Sequence, residues 1–95
     1  MAYAVLASVP VKPEHFASAR AAVAGLVERT LAETGCHAFQ PHRPADGTPT
    51  VLIYEVWADR AAFDFHHEQD YTRAVYASYE DWLAGPVTIT ELESL

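Results

Sequence analysis

The segment from Ala2 to Val9 is apolar at nearly every position and predicts a β-strand. Successive side chains of a strand point to opposite faces, so apolar residues at both odd and even positions indicate that both faces are covered. Pro10 and Pro13 end this strand. From Glu14 onward, apolar residues recur at helical spacing and predict one long helix, whose apolar face comprises Phe16, Ala19, Val23, Leu26, Val27 and Leu31.

The pattern after this helix predicts a β-hairpin. Thr34 and Gly35 end the helix, and Gly35 is expected to adopt the left-handed conformation past the last turn. A weak strand is predicted from Cys36 to Arg43, followed by a turn over residues 44–49 that contains two prolines and a glycine. The β-branched and aromatic run from Val51 to Trp57 then predicts a buried strand.

The second half of the chain changes from helix back to strand. Asp59 is a candidate N-cap for a helix that starts at Arg60. A further helical segment is predicted for residues 70–83, and the pattern leaves open whether it continues the preceding helix or forms a second one. Residues 87–92 are rich in β-branched side chains and predict a last strand.

The resulting β-α-β-β-α-β order, in a single domain over residues 1–95, predicts a ferredoxin-like α+β sandwich. In such a fold, both helical segments cover one face of an antiparallel sheet. The other face stays bare in a monomer, although the strands are apolar on both sides. We therefore expect a homodimer in which the two sheets pack face to face.

Composition and charge narrow the range of partners. Six Lys and Arg residues against thirteen Asp and Glu residues give a net charge of −7, which argues against binding to nucleic acid or to anionic membranes. The single Cys36 precludes an internal disulfide and fits a reducing compartment. Neither a signal peptide nor a membrane-spanning stretch is predicted, so we expect a cytoplasmic protein.

Three chemically useful side chains are predicted to meet at one end of the sheet. Glu55 and Trp57 lie at the end of the central strand, and His66 follows about two turns into the next helix. Each also has a structural interpretation, as a paired buried carboxylate, a core indole and a hydrogen-bonded imidazole at a helix end. No pair of histidines has the HxH or HxxxH spacing, so no metal site is predicted.

A family resemblance rests on three motifs. The segment from Glu33 to Cys36 reads E-x-G-C, the run from Glu55 to Asp59 reads E-x-W-x-D, and His66 lies eleven positions after Glu55. In this order and spacing the chain resembles the antibiotic biosynthesis monooxygenase (ABM) domain family. The resemblance implies a dimeric α+β barrel with a pocket between sheet and helices in each protomer. Members include cofactor-independent oxygenases acting on quinols and polyketide anthrones, haem-degrading enzymes, a few isomerases and proteins of unknown role.

The haem-degrading branch of this family does not match. Its members carry an Asn, a Trp and an axial His at the positions that align with Ala7, His66 and Tyr76, and none of the three is kept. Haem is therefore not expected, nor is another cofactor.

The favoured function is a cofactor-independent monooxygenase whose substrates are dioxygen and a hydroxylated aromatic, such as a quinol or an anthrone-like polyketide. His66 is the expected base because imidazole titrates near neutral pH. Glu55 is expected to orient or charge-tune His66, which requires both side chains on the same side of the sheet. The residues expected to bind the substrate are Trp57, Tyr54, Tyr71, Phe63 and Ala7.

Two alternatives stay open at this point. One is a non-catalytic module that binds a small molecule or only dimerises, and the other is an isomerase of the same fold. An enzyme requires His66 to reach an enclosed cavity. An interaction module could instead fill that space with Phe63, Phe65 and Tyr79.

Overall fold

A computed structural model describes residues 2–95. Within this range the chain forms four strands, namely β1 (Tyr3–Pro10), β2 (Cys36–His42), β3 (Thr50–Trp57) and β4 (Thr88–Leu92). Four α-helices accompany them, namely α1 (Phe16–Ala24), α2 (Val27–Leu31), α3 (Arg60–Glu68) and α4 (Asp70–Trp82). The strands form one antiparallel sheet in the order β2-β3-β1-β4. The predicted ferredoxin-like α+β fold is therefore confirmed.

The two faces of the sheet have different environments. One face packs under the helices and supplies core residues from the two central strands, namely Val5, Ala7 and Val9 of β1 and Val51, Ile53 and Trp57 of β3. These side chains alternate with those of the other face, which include Leu6, Leu52, Tyr54 and Val56. None of these four reaches full burial, and Tyr54 is 39% exposed. The second apolar face is thus present and lacks a covering layer in the single chain.

The first helical region differs in detail from the single long helix that the pattern predicts. It opens with a short 3₁₀ turn at Pro13–His15 and is interrupted between α1 and α2. At the interruption, the Leu26 backbone N–H bonds to the Val23 carbonyl at 3.0 Å, which tightens the turn. The backbone at Gly25 and Leu26 stays right-handed, and Leu26 is buried beyond the break. The prediction that Leu31 belongs to the apolar face was wrong, because the break turns Thr30 inward and leaves Leu31 49% exposed.

The region after β3 forms two helices, which answers the question that the sequence left open. Gln69 separates α3 from α4 with an extended backbone, at φ −72° and ψ 143°. The Gln69 side chain donates a hydrogen bond to the Phe65 carbonyl at 2.8 Å, near the end of α3. At the other end of α3, the Asp59 carboxylate accepts a hydrogen bond from the Ala62 N–H at 2.8 Å, as predicted for an N-cap.

The expectation of a left-handed Gly35 was wrong. Among residues 2–95, positive φ occurs at Gly47, whose φ of 85° lies in the turn between β2 and β3. Gly35 is instead required by close packing, because a Cβ atom at this position would overlap the Ala62 side chain. The Gly35 carbonyl also accepts a hydrogen bond from the Ala58 N–H at 2.8 Å. The start of α3 thus lies directly on the segment that precedes β2.

We predict that Gly35→Ala lowers the free energy of unfolding by about 1–3 kcal/mol, because the added methyl group must displace α3. Urea unfolding followed by circular dichroism measures this change.

The matched control is Gly25→Ala, where the new Cβ would lie 3.4 Å from the Ala21 and Ala22 carbonyl oxygens in a right-handed backbone. Its effect is expected to stay within about 0.5 kcal/mol. Equal effects of the two substitutions would contradict the packing explanation for Gly35.

Candidate functional site

A network of three polar side chains lies between the end of α2 and the helices α3 and α4. Glu33 Oε2 accepts a hydrogen bond from the Tyr71 hydroxyl at 2.5 Å and lies 2.8 Å from His66 Nδ1. A carboxylate oxygen accepts hydrogen bonds, so Nδ1 of His66 carries a proton and Nε2 holds the lone pair of a neutral ring. The side chains of His66 and Glu33 are 4% and 6% exposed, which makes this a buried pair.

Helix α3 places the His66 ring against the aromatic part of the core. The N-cap at Asp59 fixes where the helix starts, and His66 follows seven residues later on the face turned to the sheet. Its ring centroid lies 4.9 Å from that of Trp57 and 5.6 Å from that of Phe39. These contacts and the bond to Glu33 fix the orientation of the imidazole.

The environment of His66 favours the neutral form of the ring. Burial lowers the pKa of His66 below its ordinary value of 6.5, and the opposing influence of Glu33 is smaller. Tyr71 responds in the opposite direction, since burial and its bond to Glu33 raise the pKa of the phenol to about 12. At neutral pH the cluster therefore combines an uncharged imidazole with a protonated phenol.

A second buried pair lies on β3. Trp57 Nε1 donates a hydrogen bond to Glu55 Oε1 at 3.0 Å, and the whole Glu55 residue is 4% exposed. In the sheet register Glu55 is flanked by Val5 and Phe39, which offer no further donors from their side chains. Burial raises the pKa of Glu55 to about 7; the bond from Trp57 opposes this shift, and the charge of Glu33 adds to it.

The structure brings together most of the residues that the sequence singled out. Glu55 and His66 lie on the same side of the sheet, the side that also holds Trp57, Phe63 and Ala7. Phe63 packs edge-on against Trp57 at 6.3 Å between ring centroids, and Ala7 is buried opposite Ile53. Tyr71 joins the cluster through Glu33.

Two expectations need correction. The carboxylate that bonds His66 is Glu33, whereas the partner of Glu55 is Trp57. Tyr54 lies on the opposite face of the sheet, because it is the neighbour of Glu55 on β3 and successive side chains alternate. It therefore cannot bind a substrate on the same face as Trp57.

The hydrophobic periodicity did not predict that Glu33 belongs to the site. This residue falls away from the apolar stripe of the first helical region, which is the usual sign of a solvated position. Its backbone N–H bonds to the Thr30 carbonyl at 3.0 Å, and this final turn aims the side chain under α3. Its place in the E-x-G-C motif was the available signal, since Gly35 in the same motif allows α3 to approach.

A surface cavity of about 250 Å³ adjoins this cluster. It is lined by Glu33, Thr34, Gly35, Ala62 and Phe65. Glu33 Oε1 is buried and has no hydrogen-bond partner among residues 2–95. His66 is not part of this lining, so Glu33 links the cavity to the imidazole.

Within the described residues, no three His, Cys, Asp or Glu side chains come together as a metal ion would require. None of the helices between residues 2 and 95 has the length and apolar character needed to cross a bilayer.

Comparison with known families places the chain among relatives. The model of the family described as ABM, antibiotic biosynthesis monooxygenase, matches residues 2–83. The chain belongs to this family. The description of the family and the names of relatives support a monooxygenase-type function.

A relative from Mycobacterium tuberculosis, named "Putative monooxygenase Rv0793", is 30% identical over 92 residues, which cover 97% of this chain and 90% of the relative. The solved structure of Rv0793 superposes with a TM-score of 0.91 at 27% identity, covering 100% of this chain and 96% of that one. The structure of PA3566 from Pseudomonas aeruginosa also has a TM-score of 0.91, at 23% identity and with 99% and 94% coverage, and shows the same fold. An uncharacterised Synechocystis protein, sll1783, is 28% identical over 85 residues; the match covers 90% of this chain but 58% of that protein.

The buried Glu55 predicts a pH-dependent stability. Its pKa is about 7 in the folded chain and near the ordinary 4.5 when unfolded, so the folded state binds more protons between these values. The free energy of unfolding therefore falls as pH rises through this window, by up to roughly 3 kcal/mol from this group. Glu55→Gln keeps an acceptor for Trp57 but does not titrate. We expect it to gain stability relative to the wild type as pH rises from about 4.5 to about 8.

Urea unfolding of both proteins across this range measures the difference, and the opposing titration of His66 cancels between them. Glu80→Gln, at an exposed position on α4, serves as the control and should follow the wild type. Parallel profiles of wild type and Glu55→Gln would show that Glu55 titrates as a solvated carboxylate.

Proposed function

We propose that the chain is a cofactor-independent monooxygenase that oxidises a hydroxylated aromatic, such as a quinol or a polyketide anthrone. The observation that carries this proposal is the buried Glu33–His66 pair, in which a carboxylate holds an imidazole next to an aromatic wall. Membership of the monooxygenase family supports the reaction class. The substrate class follows from what such a base can activate without a cofactor.

The proposed reaction begins with removal of a proton from an activated methylene or phenol by Nε2 of His66. The resulting anion is rich in electrons and reduces O₂, forming a C–O bond to a peroxide that takes back the proton. The second C–H bond of the methylene and the O–O bond then break together with loss of water. One oxygen atom of O₂ becomes the new carbonyl and the other becomes water, so all electrons come from the substrate.

The other residues of the site have distinct roles in this proposal. Glu33 keeps the proton on Nδ1 and stabilises the imidazolium that forms, because an ionised carboxylate at 2.8 Å favours the charged ring. Trp57, whose ring lies 4.9 Å from that of His66, and Phe63, which packs edge-on against Trp57, make the surroundings of the imidazole apolar. Glu55, with a pKa of about 7, is a second group that can exchange a proton near neutral pH.

Access to the site is proposed through the cavity of about 250 Å³ that Glu33 lines. The unpartnered Glu33 Oε1 is an acceptor for a hydroxyl donor, which a phenol or quinol provides. Phe65, 53% exposed at the rim, offers an apolar contact to the ring of such a substrate. Binding there would place the substrate next to the carboxylate that holds His66, and proton transfer to Nε2 then requires the buried ring to turn toward the substrate.

The test is oxygen uptake by the purified protein with reduced quinols and hydroxy-anthrones. Uptake well above autoxidation is expected for the wild type, with a loss of about 10²-fold or more in His66→Gln, the size typical for a general base. Glu33→Gln should also lose activity, because the amide cannot stabilise the imidazolium.

The matched control is His37→Gln, which changes an exposed histidine on β2 and should leave uptake unchanged. Circular dichroism confirms that each variant is folded. Full activity in folded His66→Gln would remove His66 from the role of base.

A second candidate function is a non-catalytic module that binds a small molecule. The burial of His66 favours it, since the residue is 3% exposed and does not line the cavity beside Glu33. Saturable binding of the same aromatics without oxygen uptake would select this function over the monooxygenase.

We also propose a homodimer in which the uncovered sheet faces pack together. The face offers Leu6, Leu52, Tyr54 and Val56, all incompletely buried in the single chain. Light scattering should give twice the chain mass of 10.5 kDa. Tyr54→Lys is expected to shift the protein to monomer, because it places a charge within the apolar interface.

Arg73→Gln, at an exposed position on α4, is the control and should remain dimeric. A monomeric wild type at micromolar concentration, or an unchanged dimer in Tyr54→Lys, would contradict this arrangement.

A further inference from the structure

A second cavity lies at the other end of the β2–β3 hairpin, away from the Glu33–His66 cluster. Its volume is about 390 Å³, and α1 and α2 form one wall while the end of β2 and the start of β3 form the other. Val51 in this cavity and Trp57 beside His66 are six residues apart on one strand, a separation of about 20 Å. The two regions are therefore separate sites.

The lining of this cavity divides into an apolar floor and a cationic rim. Val23 and Val51 are buried, and Phe16, Val27 and Pro41 are partly exposed around them. Arg20, His42 and Arg43 are exposed at the rim. A volume of this size is within the range of small-molecule sites, which combine apolar walls with a few placed polar groups.

The two arginines at the rim have no carboxylate partner. Among residues 2–95, the salt bridges involve Arg60 and His66, and none involves Arg20 or Arg43. The Arg43 guanidinium carbon instead lies 5.2 Å from the centroid of the Phe16 ring, a cation–π contact that holds the charge at the cavity. In a chain with a net charge of −7, two unpaired guanidinium groups at one opening form a local site for an anion.

The third rim residue, His42, bonds to the backbone of its own strand. His42 Nδ1 lies 2.8 Å from the Gln40 backbone carbonyl, which can only accept, so Nδ1 is the donor in this bond. In the sheet register His42 lies opposite Leu52, so its side chain is on the uncovered face of the sheet and is not counted among the ligand contacts.

We propose that this cavity binds a small organic carboxylate with an apolar body, separately from the monooxygenase site. The apolar body would lie on Val23, Val27 and Val51, and the carboxylate would bind the guanidinium groups of Arg20 and Arg43. Guanidinium and carboxylate match in geometry and can form paired hydrogen bonds, which favours a carboxylate over a neutral ligand of the same shape.

The test is a titration with 2-naphthoate, compared with the neutral 2-naphthamide, followed by backbone amide chemical shifts. We expect saturable binding of naphthoate with a Kd of about 0.1–1 mM, as befits a ligand of this size, and shifts concentrated at Val27 and Val51. The amide should bind at least about fivefold more weakly. Raised salt should weaken the binding of naphthoate but not that of naphthamide, because the exposed charges are screened.

Matched variants separate the roles of charge and volume. Arg20→Gln and Arg43→Gln should each raise the Kd for naphthoate about fivefold, whereas Arg73→Gln on α4 should leave this Kd unchanged. Ala24→Trp changes an exposed residue of the lining and should abolish binding by filling the cavity.

Three outcomes would overturn the proposal. They are equal binding of naphthoate and naphthamide, equal weakening by Arg73→Gln and Arg43→Gln, and the absence of saturable naphthoate binding up to about 5 mM. Shifts centred on Tyr71 and His66 would also overturn it, since they would place the carboxylate at the other site.

Discussion

The contact between α3 and Gly35 is the constraint on which the arrangement of buried polar groups depends. Because Gly35 has no side chain, Ala62 on the first turn of α3 can lie directly against the backbone that connects α2 to β2. That backbone carries Glu33 two residues earlier, and α3 carries His66 one turn beyond Ala62. The close approach therefore brings the carboxylate within 2.8 Å of the imidazole. A wider spacing would leave both groups buried without partners, at a cost of several kcal/mol.

Two buried carboxylates of this chain lie in different surroundings. Glu33 faces two side chains, with Tyr71 and His66 sharing its Oε2. Glu55 has one indole N–H and is otherwise enclosed by Val5 and Phe39, so its pKa rises to about 7. The difference arises because Glu33 lies at the end of a helical turn, where side chains of α3 and α4 reach it. A strand interior offers Glu55 mainly the side chains of neighbouring strands and of residues two positions away.

The strands, the turn and the antiparallel sheet followed from the sequence because each depends on local alternation or on turn residues. The N-cap at Asp59 followed for the same reason, since it involves groups three residues apart. The hydrogen-bond partner of His66 could not be predicted from the sequence. Glu33 is 33 positions away, and the hydrophobic periodicity assigns it to the solvated side of its helix. Gly35 was assigned a left-handed backbone on a local rule, whereas its role comes from a contact with Ala62. Tyr54 was assigned to the site although strict alternation with Glu55 excludes it.

The β2–β3 hairpin presents opposite charges at its two ends. At the end that holds Trp57, the buried polar groups are carboxylates, an imidazole and a phenol, which suit proton exchange with a hydroxylated ring. At the end that holds Val51, the polar groups are exposed guanidiniums above an apolar floor, which suit a charged head on an apolar body. An acidic chain repels anions at long range, so the exposed guanidinium groups of Arg20 and Arg43 must supply the local attraction, which raised salt weakens. The sheet thus separates two kinds of recognition, one by buried groups that exchange protons and one by exposed guanidinium groups above an apolar floor.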